Sequence, residues 1–384
     1  MKLEKQYEGF ELGPIRPPSE ANSLLLRVTR NCPWNKCKFC GLYKGKKFSV
    51  RPVEHVLKDI DTIKYYVDHI IDIRKLASGN ASEDLIAFHD QQPERDPMVF
   101  HAALSWIQGG MRSVFLQDAN TMVIKPDNMV KILSHIRESF PQVERITSYA
   151  RSHSIARISD ENMTRVARAG LNRIHIGMES GADEVLEFMK KGVNKEKHII
   201  AGQKVKRAGI ELSEYYMPGL GGQKKWKENA IETADALNQI DPDFIRIRTL
   251  AIPNQTELFQ DLKKGIFEKN GDIQMAKELL LFIENLGRIS GTIKSDHFLN
   301  LFQEVDGRLP DEKEQIMAPI KTFLSMSPKD QVTYLVGRRT GVFSGVEDMN
   351  NSSLRQGVEE RCLSHHITPD NVEYYTYEAM KRFI

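Results

Sequence analysis

Three of the four cysteines fall within nine residues. Cys32, Cys37 and Cys40 lie in the run RNCPWNKCKFC, spaced C-x4-C-x2-C. Thiolates so closely spaced on a loop can turn their sulfurs toward one soft centre. Three chemistries are open to them. One is a [4Fe–4S] cluster with three irons bound by protein and the fourth open to another ligand. The second is zinc, with Cys362, His365 or His366 as a distant fourth ligand. The third is three thiols that hold no metal. A structural zinc site usually shows two Cys/His pairs, and a second pair is hard to find, which favours the cluster. A secreted disulfide scaffold would carry more cysteines in a shorter chain.

The elements around the cysteines say where they sit. The run LLLRVT (24–29) reads as a strand, and the cysteine loop follows at once. The loop therefore lies at the C-terminal end of a strand, where α/β barrels place their active-site loops. Apolar residues at Val56, Ile60, Ile63 and Val67 then predict a helix over about 53–76. Further strands are predicted over 112–117, 144–150, 173–178, 211–217 and 243–250. Helices are predicted over 126–137, 159–169, 182–190, 195–208 and 225–238. Ser159 can cap the second of these and Gly170 can end it. Another helix is expected near 97–109, in the long stretch between the first two strands.

Six β/α units in roughly 230 residues imply a parallel sheet with helices outside. Six are too few for a full eight-stranded barrel. The expected fold is α/β, a partial (β/α)6 TIM-like barrel with a C-terminal helical extension. From about Thr256 strand signals stop, and AKELLLFIENL, DEKEQIMAPIKTFLSM and VEYYTYEAMKRFI read as amphipathic helices. The run at 338–351 reads as a loop. The expected organisation is an N-terminal arm at 1–22, the barrel at 23–255, and the extension at 256–384, capping the barrel.

Composition narrows the function classes. The chain has 384 residues, 40% hydrophobic and 28% charged, which argues against disorder. A net charge of +2 gives no support to a bulk nucleic-acid or membrane-surface binder. No window approaches the ~18 consecutive apolar residues of a membrane span. The start MKLEKQYEGF has no apolar h-region, so a cytoplasmic protein is expected.

With these residues in view, the sequence resembles the radical S-adenosylmethionine (SAM) superfamily. The three-cysteine loop after the first strand, with Phe39 just before the last cysteine, occupies the family's hallmark position. HIGMESGADEVLEFMKKG (175–192) looks like the Gly-x-Glu-Ser segment of the branch that includes HemN-like, Elp3-like and methylthiotransferase enzymes. FLQDAN (115–120) occupies the place where the family usually has a Gly-Gly-Glu-type motif. SDHFLNLF…GRLPDEKEQI (295–316) resembles the tail of relatives in that branch. The usual spacing is C-x3-C-x2-C, so this loop carries one more residue between Cys32 and Cys37.

The resemblance implies roles. Cys32, Cys37 and Cys40 would bind three irons of a [4Fe–4S] cluster, and SAM would chelate the fourth. Reductive cleavage of SAM would give a 5′-deoxyadenosyl radical that takes hydrogen from a substrate. Asp118 and Asn120 are candidates for the SAM ammonium, or form an ordinary strand-end turn. Glu179 matches the position that binds the ribose hydroxyls, or caps the next helix. Gly177 shares its strand face and would leave room for a ligand. Arg246 and Arg248 are candidates for the SAM carboxylate, with Glu214 as the protein partner if no ligand is involved. Arg151 is the alternative carboxylate contact, and Ser148 could hydrogen-bond SAM. Phe39 would pack on cluster or adenine. Met217 opens the glycine-rich run 217–222, which could approach adenine. Cys362 is a lone thiol or a hydrogen donor, and His297 could face the substrate mouth.

Absences refine the expectation. No segment before the first strand is long enough for a cobalamin-binding domain, and no second cysteine group or basic β-barrel is evident. The expected activity is therefore that of a radical SAM enzyme acting on a small molecule, with a one-electron reductant such as flavodoxin or ferredoxin and without nucleic acid or membrane. The alternatives are a non-catalytic cluster and SAM carrier, such as a haem-delivery protein, and a zinc-stabilised binding protein.

Overall fold

The computed structural model describes residues 6–76, 81–92, 96–287 and 289–381. The chain forms two compact units. The first comprises residues 1–33, 45–175 and 207–211; the second comprises 34–44, 176–206 and 212–384.

In the first unit β1 (Leu24–Arg27), β2 (Ser113–Gln117) and β3 (Arg145–Ala150) pair in chain order, all parallel. β4 (Arg173–Glu179) begins in this unit and ends in the second. There β5 (Glu211–Tyr216), β6 (Phe244–Ile247) and β7 (Thr292–Lys294) pair in order and in parallel, and β8 (Gly307–Arg308) closes the edge antiparallel to β7. Strand order along the sheet thus follows the chain. This is the mainly parallel α/β class that alternating strand and helix signals predict.

Local chemistry explains the elements. The helix Val53–Leu76 buries Val56, Ile60, Ile63, Val67 and Ile70 at three- and four-residue spacing. Asp96 caps the helix Pro97–Gln108 by accepting from the amides of Met98 and Val99. Ser159 caps Asp160–Arg168 by accepting from the Asn162 amide. Gly170, at φ +112°, turns the chain after that helix, where a Cβ would meet Arg137 Nε at 2.5 Å. Helices also form where expected at Pro126–Ser139, Lys195–Arg207 and Gly222–Ile240. In the third, Lys225 has non-helical dihedrals.

Three sequence expectations are corrected. Strands do not stop at residue 255, because β7 and β8 extend the sheet. They hold only three and two residues, too few to show an alternating pattern. The helices Pro328–Arg339 and Ser352–Ser364 are additional to the three expected in the C-terminal part. Within the expected loop 338–351, Val346–Asn350 is a 3-10 turn. Residues 382–384 of the last expected helix, and 1–5 of the expected arm, lie outside the described residues.

The rest of the arm is anchored within the first unit. Gly13 N donates to Gln117 Oε1 at 2.8 Å, and Gln117 Nε2 donates to the Ile15 carbonyl at 2.7 Å. Glu11 pairs with Arg27, Arg30 and Arg51.

In the second unit Asp272 and Arg339 form a buried two-bond pair, and Arg339 Nη1 also donates to the Leu299 carbonyl at 2.7 Å. Burial alone would raise the Asp272 carboxyl, but Arg339, and Lys269 after it, hold it below its usual 3.8. Its contribution is complete above that unfolded value and is lost as pH falls through the lower folded one. Asp272→Asn is expected to cost ~3–5 kcal/mol at neutral pH. In thermal melts the gap from wild type should narrow as the medium is acidified below the unfolded value.

Candidate active site

The cysteine loop is closed at its base by a short ladder, Thr29–Arg30 against Ser49–Val50. Just before Cys32, Asn31 adopts φ 66°. Its side chain donates to the Lys47 carbonyl at 2.7 Å, and its amide donates to Asp118 Oδ2 at 3.0 Å. Asp118 follows β2, is 1% exposed, and takes Arg27 Nη2 on the same oxygen at 3.0 Å. Its carboxylate thus fixes the entry to the loop. Asn120 holds the end of β3: its Oδ1 accepts from the Arg151 amide at 3.1 Å and its Nδ2 donates to Ser154 Oγ at 2.8 Å. Buried Ser148 donates to the Tyr149 carbonyl at 3.0 Å.

Cys37 and Cys40 belong to the second unit, where their segment is stitched to its neighbours. Lys38 N donates to the Met189 carbonyl, and Leu258 N donates to the Lys38 carbonyl, both at 3.0 Å. Lys38 Nζ pairs with Asp261 at 2.8 Å. Phe39 and Met217 pack against an apolar cluster that includes Val185, Met189, Leu220 and Leu258. None of the four cysteines forms a disulfide; Cys32, Cys37 and Cys40 are half-buried. Among the described residues no three His, Cys, Asp or Glu side chains form a preformed metal cage. The fit to an iron–sulfur cluster rests on donor chemistry: three soft thiol ligands on an irregular, partly exposed loop.

Glu179 ends β4 at φ 67°, and its carbonyl accepts from the Met217 amide at 2.9 Å. Its carboxylate folds back over Gly177 and pairs with Lys191 at 3.3 Å. A Cβ on Gly177 would stand 2.4 Å from Glu179 Oε1 and 3.4 Å from Lys191 Nζ. Only glycine leaves this carboxylate its place. Lys191 also lies over the Phe39 ring at 5.7 Å. Phe39, Gly177, Glu179, Lys191 and Met217 are thus gathered at one end of β4 and β5.

Glu214 does not partner the arginines of β6. Both guanidiniums instead grip Asp296: Arg246 on Oδ2, and Arg248 on Oδ1 at 2.8 Å. Register explains the difference. Glu214 lies beside Ile245, whereas Arg246 lies beside Tyr215, so glutamate and arginine occupy opposite faces. Arg248 accordingly stacks on Tyr215, 4.9 Å from its ring centre. Burial works against ionisation at Asp296, but Arg248 and Arg246 keep its carboxyl below the usual range. Glu214 is fully buried, and neither carboxyl oxygen has a hydrogen-bond partner among the described residues. Burial, reinforced by the Glu179 charge, pushes its carboxyl well above the ordinary range.

His297 follows Asp296. Burial and then Arg248 push its imidazole down to about 4, so it is neutral at pH 7. Cys362 is buried in the helix Ser352–Ser364, and burial pushes its thiol up. Sequence reasoning missed Lys191 and Asp296. Lys191 was visible as the last lysine of FMKKG, and Asp296 as the acid in SDHF.

Comparison with known proteins places this site in context. A profile of the radical SAM superfamily matches residues 99–234, which include β2 to β5. The tRNA uridine(34) acetyltransferase of Methanocaldococcus jannaschii is 28% identical over 114 residues, 28% of this chain and 20% of that protein. The mitochondrial tRNA methylthiotransferase CDK5RAP1 of Rattus norvegicus is 21% identical over 310 residues, 76% of this chain and 47% of that protein. The chain therefore spans less than half the length of these relatives. Among solved structures, coproporphyrinogen III oxidase (HemN) from Escherichia coli aligns with TM-score 0.44 and 14% identity, covering 69% of this chain and 52% of that one. No described helix is long and apolar enough to cross a membrane.

Proposed function

We propose that this chain, whose residues 99–234 match the radical S-adenosylmethionine superfamily, is a radical SAM enzyme whose cluster is held by Cys32, Cys37 and Cys40. The observation that carries the reading is the Glu179 carboxylate folded over Gly177 at the end of a sheet strand, within the segment matched to the family. When bound, the cluster and SAM supply reductive cleavage of the sulfonium bond and a carbon radical that abstracts hydrogen from substrate.

The chain's own residues orient these groups. Asp118 holds the first turn of the cysteine loop through the Asn31 amide. Glu179 accepts the ribose hydroxyls, with Lys191 holding its carboxylate in place. Phe39 and Met217 present apolar surface to adenine. Arg246 and Arg248, aligned by their shared Asp296, receive the SAM carboxylate. Asn120 and Arg151 set the end of β3, with Ser148 on the same strand. The plan of arm (1–22), barrel (23–255) and extension (256–384), the last also supplying β7 and β8 of the sheet, belongs to this reading, as do a small-molecule substrate, a flavodoxin- or ferredoxin-type reductant and a cytoplasmic setting.

Gly177→Ala tests the ribose assignment. The added methyl displaces the Glu179 carboxylate, so the SAM dissociation constant should rise about tenfold or more while iron per chain stays at the wild-type level. Unchanged SAM affinity would remove Glu179 from the ribose.

A second substrate class is tRNA, on which the acetyltransferase and methylthiotransferase relatives act. Turnover of SAM with and without added tRNA separates it from a small molecule. The function itself is tested by 5′-deoxyadenosine release from anaerobically reconstituted protein given SAM and dithionite. Haem binding without that release would support the carrier alternative.

A further inference from the structure

Glu278 lies on the helix Asp272–Glu284, well beyond the strands that carry the site, yet its carboxylate reaches the turn after β5. Four donors converge on it. Tyr216 Oη and Asn229 Nδ2 donate to Oε1 at 3.1 and 2.7 Å. The Gly219 amide and Asn270 Nδ2 donate to Oε2 at 3.0 and 3.1 Å. A carboxylate has about four lone-pair positions, so this one is fully used. Glu278, Tyr216 and Asn229 are all wholly buried.

The same asparagine ties the group to the end of β4. Asn229 Nδ2 also donates to the Met217 carbonyl at 3.1 Å, and the Met217 amide donates to the Glu179 carbonyl at 2.9 Å. Leu220 N closes the turn on the Met217 carbonyl at 3.2 Å, and Leu250 N holds the Pro218 carbonyl at 3.0 Å. Gly219 itself is at φ +90°, a left-handed position that a turn must hold by its hydrogen bonds. A core glutamate of this kind is costly to bury, so a single apolar residue would be the simpler filling. Its four bonds have a product: a rigid turn at 217–220 beside Glu179.

We propose that Glu278 is a positioning residue for SAM, which pre-sets the turn 217–220 against the adenosine that Glu179 and Met217 receive. It touches no ligand. It acts through the Gly219 amide and through Asn229. The inference rests on the SAM site proposed above.

The test uses the full chain, reconstituted with iron and sulfide without oxygen. Glu278→Gln keeps the volume but replaces one acceptor oxygen by a donor that opposes the Gly219 amide or Asn229. SAM binding is read by equilibrium dialysis, and deoxyadenosine release is followed against SAM concentration. The expected result is wild-type iron content, a SAM dissociation constant and KM raised about tenfold, and kcat at saturating SAM within about twofold of wild type. A merely structural role would lower the melting temperature and leave KM in place; that result overturns the proposal. If Glu278→Gln does not fold, Asn270→Ala removes one donor and leaves the carboxylate, and hydrogen exchange reads the Gly219 amide. Faster exchange with a raised KM supports the proposal, and faster exchange at unchanged KM overturns it. A wild-type protein that neither binds SAM nor releases deoxyadenosine removes the underlying site as well, which separates that failure from a variant that matches an active wild type.

Discussion

Cys37→Ala is expected to remove the iron–sulfur absorbance and to reduce deoxyadenosine release to background. Cys32 and Cys40 should behave alike, because three thiolates are the whole protein ligand set in this reading and none can be spared. The segment's own bonds make the outcome clean. The Lys38 amide is held by the Met189 carbonyl, and the Lys38 carbonyl receives the Leu258 amide, without help from any sulfur. Lys38 is pinned to Asp261, and Phe39 packs against the apolar cluster of the second unit. Removing one half-buried thiol should therefore leave the chain folded, with melting within a few degrees of wild type. A Cys37→Ala protein that keeps its full iron content would exclude Cys37 as a ligand. Colourless protein that loses zinc on the same substitution would turn the loop into a structural zinc site.

Asp118→Ala should be the next most damaging change, through a different route. The carboxylate is buried and takes both the Asn31 amide and the Arg27 guanidinium. Breaking a buried pair by removing one partner costs ~3–5 kcal/mol. Glu11, which also contacts Arg27, tempers that loss. The larger consequence is at the loop, because Asn31, the residue before Cys32, loses one of its two anchors. Iron and sulfide per chain should fall several-fold even with all three cysteines present. Asp118→Asn keeps an acceptor for the Asn31 amide but drops the charge facing Arg27. It should therefore recover much of the iron content while remaining less stable. Equal iron content in both variants and wild type would mean that Asp118 stabilises the unit without governing the cluster loop.

Much of the scaffold was legible because its signals are local. Alternating apolar runs mark β1 to β6. The helix starts were written in the Ser159 cap and in Pro126 at the first turn, and the stop of one helix in Gly170. β7 and β8 were not legible, since two or three residues carry no period and the sheet itself recruits them. The cysteine trio and Glu179 were readable as chemistry. Their supports were less so, because they depend on register and distance. Arg246 was given the wrong acid through a one-residue question of face, and Asp296 lies fifty positions further on. Glu278 was present as one of the two acids in the run AKELLLFIE, read there only as part of an amphipathic helix. An acid among four buried apolar neighbours was the available clue, and its partners became known only when Gly219, Asn229 and Asn270 met it in space.

The most direct measurement is made on wild-type protein reconstituted without oxygen and reduced with dithionite. Electron paramagnetic resonance is recorded before and after adding SAM, and 5′-deoxyadenosine is then quantified by mass spectrometry. The account predicts a reduced-cluster signal that changes when SAM is added, and release of deoxyadenosine that disappears in Cys37→Ala. A protein that binds no iron, or one whose cluster signal ignores SAM and yields no deoxyadenosine, would contradict it.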